Sequence, residues 1–172
     1  MERISSKTVY EGKMIGVRLD EFRHGDGQTA EREVVDHPGA VAIVATDDES
    51  VYLVRQPRPA VLEAALLELP AGKLDVEGET PLECAQRELA EEIGMRASSW
   101  SEIKRFYMSP GFTDEEITIF FASGLKAIPD HEPDPEERIE IVPWPISELD
   151  RAIGECADAK SLIGLLLFTS SR

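Results

Sequence analysis

Cysteine is scarce in this sequence, with two residues among 172. Cys84 and Cys156 belong to no Cys-x-x-Cys pair and to no Cys/His cluster, which argues against a disulfide framework and against a zinc site. Long apolar runs are lacking as well, and the N-terminal residues have no apolar core of the kind that a secretory signal needs. We therefore expect a cytoplasmic protein with no membrane partner.

Basic residues are also few: 18 Lys and Arg stand against 34 Asp and Glu, which gives a formal net charge of −16. A chain without a basic stripe does not bind nucleic acid, because it cannot displace the counterions of the phosphates. If the ligand is itself an anion, something positive must be recruited, and a divalent cation is the simplest choice. The length predicts one domain, residues 1–172, with a core that needs no disulfide.

Short strands separated by turn signals are predicted over most of the chain. Three of them, near residues 3–10, 14–22 and 31–35, form an antiparallel meander within residues 1–36. So short a meander needs a partner to cover one face, and we therefore expect a dimer. Further strands are predicted at 39–46, 51–56, 103–108, 117–122 and 138–142, and helices at 147–155 and 161–169.

The strand at 39–46 is apolar nearly throughout, so we expect it to be central and covered on both faces. The turn at 47–50 joins it to the strand at 51–56, which Pro57 is expected to end. Arg55 and Arg58 then lie at the end of that strand, where ligands often bind in α/β sheets. In the last helix, the predicted apolar stripe consists of Leu162, Ile163, Leu166 and Leu167.

An unusually acidic helix follows a glycine-bounded loop in residues 72–95. Thr80, Pro81 and Glu83 form a strong helix start with a capping box, and Gly94 ends the helix. The apolar stripe of this helix consists of Leu82, Ala85, Leu89 and Ile93.

Three glutamates, Glu88, Glu91 and Glu92, fall on an arc beside that stripe. Their mutual repulsion destabilises the helix unless a hard cation such as Mg²⁺ or Mn²⁺ binds to them. Arg87 points to a different side, where it can pair with a carboxylate of the preceding loop, and Glu79 is the candidate. A solvated acidic face is the alternative, but these glutamates adjoin the apolar stripe rather than oppose it.

The segment resembles the signature of the Nudix hydrolases from Glu79 through Arg87-Glu88-Leu89-Ala90-Glu91-Glu92-Ile93-Gly94. It departs from that signature at its start, because six residues rather than five separate Gly72 from Glu79. The extra residue falls in the loop, where an insertion costs little. The resemblance implies an α/β/α sandwich around a mixed sheet, extended by N-terminal antiparallel strands. It also implies hydrolysis of a nucleoside diphosphate linked to another group.

The roles implied by the resemblance concern a metal site. Glu88, Glu92 and Glu91 are expected as ligands of Mg²⁺ or Mn²⁺, together with the backbone carbonyl of Ala71. Related enzymes place a glutamate in the loop before the late strand. Glu136 is accordingly expected as the general base and Glu137 as an accessory metal ligand, while Glu91 is a further catalytic candidate. Gly72, Glu79, Arg87 and Gly94 are expected to support the site structurally.

Outside this segment the chain looks like the ADP-ribose pyrophosphatase branch of the family. The similarity lies in Arg55-Gln56-Pro57-Arg58, in Glu68-Leu69-Pro70-Ala71-Gly72 and in residues 109–115. The expected substrate-binding residues are Arg55, Arg58, Lys73, Ser109, Pro110, Gly111 and Glu115. By analogy with relatives that exchange N-terminal strands in a homodimer, Arg32 and Glu33 are expected to reach the partner's site.

ADP-ribose is the favoured substrate, with AMP and ribose 5-phosphate as products. Two alternatives remain open from the sequence. One is a Nudix pyrophosphatase for another nucleotide sugar, such as an ADP- or GDP-sugar. The other is a nucleotide-sensing module without catalysis, which the complete set of glutamates argues against.

Overall fold

The structure is a computed structural model that describes residues 1–131 and 138–172. The described residues form two compact units. One comprises Met1–Gly39 and Phe106–Glu116, and the other comprises Ala40–Arg105 and Ile117–Arg172. The expected base Glu136 and the expected ligand Glu137 lie outside the described residues.

Ten strands and three α-helices are assigned in the described part of the chain. They are β1 (Glu2–Glu11), β2 (Gly16–Arg23), β3 (Thr29–Asp36), β4 (Ala40–Thr46), β5 (Ser50–Arg58), β6 (Glu63–Glu68), β7 (Ala71–Lys73), α1 (Pro81–Ile93), β8 (Met95–Tyr107), β9 (Glu116–Ala127), β10 (Glu140–Pro145), α2 (Leu149–Glu155) and α3 (Ala159–Ser170). No helix in these residues combines the length and the apolar character that crossing a bilayer requires.

In the first unit, β1, β2 and β3 form an antiparallel sheet in that order, which confirms the predicted meander. A buried carboxylate, Asp20, accepts hydrogen bonds from Ser6 Oγ at 2.5 Å and Arg18 Nε at 3.0 Å. Arg18 also pairs with Asp36 and, through Nη2 at 2.8 Å, with Asp114. One guanidinium therefore joins three carboxylates and ties the meander to the 106–116 segment of the same unit.

In the second unit, a mixed sheet has the order β10-β5-β4-β9-β8, with β6 paired to β5 and β7 paired to β4. Strand β4 runs antiparallel to β5 and parallel to β9, and every residue of β4 is buried. The prediction of a central, doubly covered strand is confirmed.

Helices cover the two faces of this sheet. Val41 and Ile43 of β4 pack in one core cluster with Ala85 and Leu89 of α1. On the opposite face, Gly164 of α3 lies against Val44 of β4, Leu69 and Ile119, and any side chain at this position would meet these three. The α/β/α sandwich around a mixed sheet is therefore confirmed.

Strand β5 continues through Pro57 to Arg58, so the expectation that Pro57 ends it is wrong. The pairing of β5 with β6 shifts register between Gln56 and Arg58. Proline, which has no N–H to donate, is tolerated at such an irregularity. The hairpin partner β6 was not predicted.

The buried faces of two helices also differ from expectation. Leu82 in the first turn of α1 is exposed, while Cys84 is fully buried. In α3, Leu166 is exposed, and the buried residues are Ser161, Gly164, Leu165 and Phe168. The predicted stripe of α3 is therefore wrong, because a helix that is apolar nearly all round carries little information about which side faces the core.

Candidate active site

Helix α1 begins and ends where the sequence predicts. The N–H of Thr80 donates to Glu83 Oε2 at 2.8 Å, and the N–H of Glu83 donates to Thr80 Oγ1 at 3.3 Å, which completes the capping box. Gly94 caps the C-terminus with φ +67°, a left-handed conformation that favours glycine. The preceding loop makes an exposed turn, in which the N–H of Glu79 donates to the carbonyl of Val76 at 3.2 Å. The loop with its extra residue therefore still brings Glu79 to the helix.

Arg87 joins the loop to the acidic face of the helix. Its Nε and Nη2 donate to the two oxygens of Glu79 at 2.9 and 3.0 Å, so the predicted pair is present. Its Nη1 donates to Glu88 Oε1 at 2.7 Å and to Glu91 Oε2 at 3.0 Å. These hydrogen bonds, led by the two that Arg87 donates to Glu79, raise the pKa of Arg87 above its usual range. The guanidinium is thus the cation that offsets the crowded carboxylates.

Glu92 is the most buried of the three glutamates, with 5% of its surface exposed, whereas 57% of the Glu91 side chain is exposed. Glu92 Oε2 accepts a hydrogen bond from the N–H of Ala71 at 3.0 Å. The Ile43 N–H donates to the carbonyl of Pro70 at 2.9 Å, and Ala71 is the next residue along the chain, opposite Ala42 of β4. Successive residues of an antiparallel strand point their N–H and C=O groups to opposite sides, so those of Ala71 point away from β4. The Ala71 carbonyl therefore lies on the edge of β7 that faces Glu92.

Gly72 allows the helix to approach β7 closely. A Cβ built on Gly72 would lie 1.9 Å from both Cδ and Oε1 of Glu88. The Glu88 carboxylate therefore occupies the space of the missing side chain. This close approach brings the Glu88 carboxylate to the same strand whose Ala71 N–H binds Glu92.

These residues suit a divalent cation, although no three Asp, Glu, His or Cys side chains are arranged as a metal site within residues 1–131 and 138–172. In this structure Arg87 donates to Glu88 and Glu91, and Glu92 accepts from the Ala71 N–H. The atoms available as metal ligands are carboxylate oxygens and one backbone carbonyl oxygen, which hard cations such as Mg²⁺ prefer. Because Gly72 has no side chain, the Glu88 carboxylate can lie beside β7. The residues present therefore fit such an ion.

The two arginines at the end of β5 have different surroundings. Arg58 donates to Glu68 through Nε at 2.6 Å and Nη2 at 2.8 Å, a two-point contact with a carboxylate that is 1% exposed. Burial by itself would raise the pKa of Glu68, but the hydrogen bonds and charges of Arg58 and Lys160 hold that pKa below its usual range. Arg55 pairs with Glu155 of α2.

The buried contacts at the start of α3 were not predicted from the sequence. Lys160 Nζ donates to Glu68 Oε2 and, at 2.8 Å, to Asp158 Oδ2. Ser161 Oγ accepts from the N–H of Leu69 at 2.7 Å. The available signal was the Asp158-x-x-Ser161 spacing, which marks a helix cap next to a lysine.

In the first unit, four expected substrate residues line one cavity of about 650 Å³. Arg32, Glu33, Pro110 and Gly111 share this cavity with Phe22, Phe112 and other residues of the same unit. It offers charged groups of both signs next to two aromatic rings, a combination suited to a polar ligand with a planar base.

The remaining expected residues have structural contacts. The Ser109 carbonyl accepts from the N–H groups of Phe112 and Thr113, both at 3.1 Å, as in an ordinary turn. Glu115 Oε1 lies 3.8 Å from His37 Nδ1. In the second unit, Lys73 Nζ pairs with Asp75 at 3.2 Å.

Comparison with known proteins identifies the family of this chain. The family model described as NUDIX domain matches residues 36–161. An ADP-ribose pyrophosphatase of Mycobacterium tuberculosis is 41% identical over 169 residues, which cover 96% of this chain and 81% of the relative. An ADP-ribose pyrophosphatase of Bacillus subtilis is 39% identical over 141 residues, which cover 81% of this chain and 75% of the relative.

A solved structure supports the fold. A crystal structure of an ADP compounds hydrolase superimposes with a TM-score of 0.84 at 22% identity and covers 99% of this chain and 92% of that one. The family match and the two relatives together show that the chain belongs to the Nudix family and is a Nudix hydrolase.

Proposed function

We propose that this hydrolase cleaves ADP-ribose to AMP and ribose 5-phosphate with Mg²⁺, for which Mn²⁺ can substitute. The observation that carries the proposal is the packing of Glu88 into the space at Gly72, beside the contact of Glu92 with Ala71. This packing gathers oxygen donors at one end of β7, where they can hold a cation between the protein and a diphosphate.

In this proposal Glu88, Glu91 and Glu92 hold the cation with the Ala71 carbonyl, and Glu137 is an accessory ligand. When bound, the cation neutralises the diphosphate oxygens and acidifies water. Arg87 must release Nη1 from the carboxylates while it keeps its two-point contact with Glu79. Glu79 thus retains the arginine next to the site in both arrangements.

The reaction forms one bond and breaks another. The oxygen of water bonds to one phosphorus of the diphosphate, and the bond from that phosphorus to the bridging oxygen breaks. Attack at either phosphorus gives the same two products. We propose Glu136 as the general base that accepts the proton of the water, with Glu91 as the second candidate for this role.

ADP-ribose is proposed because two relatives bear the name ADP-ribose pyrophosphatase at 41% and 39% identity. Arg58 is the proposed phosphate-binding cation, since its guanidinium contacts the buried Glu68 while 40% of the arginine side chain stays exposed. Further contacts to the substrate are proposed for Arg55, Lys73, Ser109, Pro110, Gly111 and Glu115.

The protein is also proposed to be a homodimer in which N-terminal strands exchange and Arg32 and Glu33 reach the site of the partner. Strand β1 is exposed along nearly its whole length, including Val9 and Tyr10, and offers an unpaired strand edge. Light scattering at micromolar concentration tests this proposal. A dimer mass supports it, and a monomer mass refutes it.

The alternatives are a pyrophosphatase for another nucleotide sugar and, from a different class, a nucleotide-sensing module. An assay with Mg²⁺ over ADP-ribose, ADP-glucose, NADH and GDP-mannose separates them. We expect release of AMP from ADP-ribose to be well above turnover of the other three. Faster turnover of ADP-glucose or GDP-mannose would favour the pyrophosphatase for another nucleotide sugar. No turnover of any of the four with either Mg²⁺ or Mn²⁺ would refute the hypothesis that the protein is an enzyme for such substrates. The Glu92→Gln variant, prepared in parallel, controls for contaminating hydrolases.

A further inference from the structure

Two cations share one buried carboxylate at the end of β6. Glu68 Oε1 accepts from Arg58 Nε at 2.6 Å, and Glu68 Oε2 accepts from both Arg58 Nη2 and Lys160 Nζ. The exposed fraction is 1% for Glu68 and 12% for Lys160, but 40% for Arg58. The carboxylate and the lysine are therefore fixed inside the protein, while the arginine reaches the surface.

Helix α3 holds this group in place. Asp158 caps the helix, with Oδ2 accepting from the N–H of Ser161 at 3.0 Å, and the same oxygen accepts from Lys160 Nζ at 2.8 Å. Ser161 in turn accepts from the N–H of Leu69 at 2.7 Å, so the helix start is bound to the residue next to Glu68. Rotation of the Glu68 carboxylate would break its hydrogen bond to Lys160. The hydrogen bonds at the start of α3 prevent Lys160 from following such a movement.

Arg58 keeps one nitrogen, Nη1, for a ligand. Nε and Nη2 are used on Glu68, whereas Nη1 makes no hydrogen bond to any residue within 1–131 and 138–172. A guanidinium held at two points presents its remaining N–H groups in a fixed direction, which suits a phosphate oxygen. Without Lys160, Glu68 would be free to turn and to draw Arg58 inward.

We propose that Lys160 is a positioning residue for substrate binding, acting through the shared carboxylate of Glu68 to fix the guanidinium of Arg58 toward a phosphate of a nucleoside diphosphate. This inference rests on the proposed function in so far as Arg58 binds phosphate. It assigns a role in the active site to the C-terminal helix, whose sequence carries no recognisable motif for one. Lys160 itself touches no substrate.

The test is a double-mutant cycle between Lys160→Met and Arg58→Met, read out by calorimetric binding of ADP and by KM and kcat for the best substrate of the panel. We expect Lys160→Met to weaken ADP binding and to raise KM about tenfold, the effect of one charge-assisted hydrogen bond. Because Lys160 acts through Arg58, the same change in the Arg58→Met background should have almost no effect on binding. Equal losses in both backgrounds, or unchanged ADP binding in the single variant, would overturn the proposal.

Two further variants guard against a trivial loss of folding. Lys160→Arg keeps a charge that can reach both Glu68 and Asp158, and we expect it to restore most of the ADP affinity. The double variant Glu68→Gln/Lys160→Met leaves no uncompensated buried carboxylate, so it should fold and still bind ADP about tenfold more weakly. Wild-type affinity in that folded double variant would contradict the inference.

Lys126→Met serves as the matched control, since Lys126 is an exposed lysine of the same unit. It should bind ADP as the wild type does. The wild-type assay separates the two proposals. If the wild type hydrolyses no member of the panel, the proposed function fails, whereas an active wild type with an additive cycle refutes only the positioning role.

Discussion

The carboxylate of Glu88 lies in the space that a side chain at Gly72 would need. A Cβ there would be 1.9 Å from Cδ and 2.3 Å from Cγ of the glutamate. The helix and β7 can be this close only because position 72 has no side chain. The glycine therefore determines where a proposed metal ligand can be.

The first prediction follows from this contact. Gly72→Ala should displace Glu88 and weaken Mn²⁺ binding about 10- to 100-fold, the usual effect of disturbing a residue that orients a ligand. Titration of Mn²⁺ followed by electron paramagnetic resonance measures the affinity. Gly25→Ala is the control, because a Cβ at Gly25 meets nothing within 4 Å. Unchanged Mn²⁺ affinity in Gly72→Ala would show that Glu88 does not need this position to bind the metal.

The second prediction concerns Glu92→Gln. The amide oxygen can still accept from the Ala71 N–H, so the fold should be retained, while the charge that binds the cation is lost. Since a catalytic metal is worth several kcal/mol, turnover should fall by roughly two to three orders of magnitude. Steady-state kinetics at saturating Mg²⁺ measure the change, and Asp48→Asn at an exposed turn is the control. Turnover within twofold of wild type would exclude Glu92 as a ligand.

The N-terminal unit gives a third prediction, on stability. Arg18→Met removes the guanidinium that serves the buried Asp20 and should cost about 3 kcal/mol, the usual penalty for breaking a buried ion pair. Amide hydrogen exchange of β1 to β3, measured by mass spectrometry, should then become roughly 100-fold faster. Arg23→Met removes only an exposed pair with Glu2 and should change exchange little. Equal exchange in the two variants would mean that Asp20 is satisfied by its other partners.

The fourth prediction is the pH dependence of the Glu68 contacts. Although burial raises it, the pKa of Glu68 in the folded protein lies below the ordinary value of 4.5 because of Arg58 and Lys160. A lowered pKa contributes stability above the unfolded pKa, and this contribution is lost as the pH falls through the folded pKa. Glu68→Gln should therefore be less stable than wild type at pH 7, and the difference should shrink below about pH 4.5. Urea unfolding across this range tests the sign, and a difference that grows in acid would contradict it.

The sequence was most informative where short-range rules dominate. The capping box at Thr80, the stop at Gly94 and the pairing of Arg87 with Glu79 depend on spacing along the chain, and all three are present. The full burial of β4 also followed from its unbroken apolar run.

Contacts between distant segments could not be read in this way. Lys160 lies 92 positions from Glu68, and nothing in the local sequence shows that the two meet. The prediction of the buried side of α3 was wrong for a related reason. Apolar residues lie on all sides of this helix, and the side that faces the sheet is the one with Gly164, which lets the helix approach closely. The extension of β5 past Pro57 depends on a partner strand that was not predicted.

Because both native cysteines are buried, a single introduced cysteine can be labelled selectively in this protein. Cys84 and Cys156 are the only thiols of the chain, and burial raises the pKa of both, that of Cys84 to about 12. Neither presents an accessible thiolate at neutral pH, so a maleimide should leave the native protein unmodified. A single cysteine introduced at the exposed turn residue Val76 would thus carry a fluorophore or spin label next to Glu79, without prior removal of a native residue.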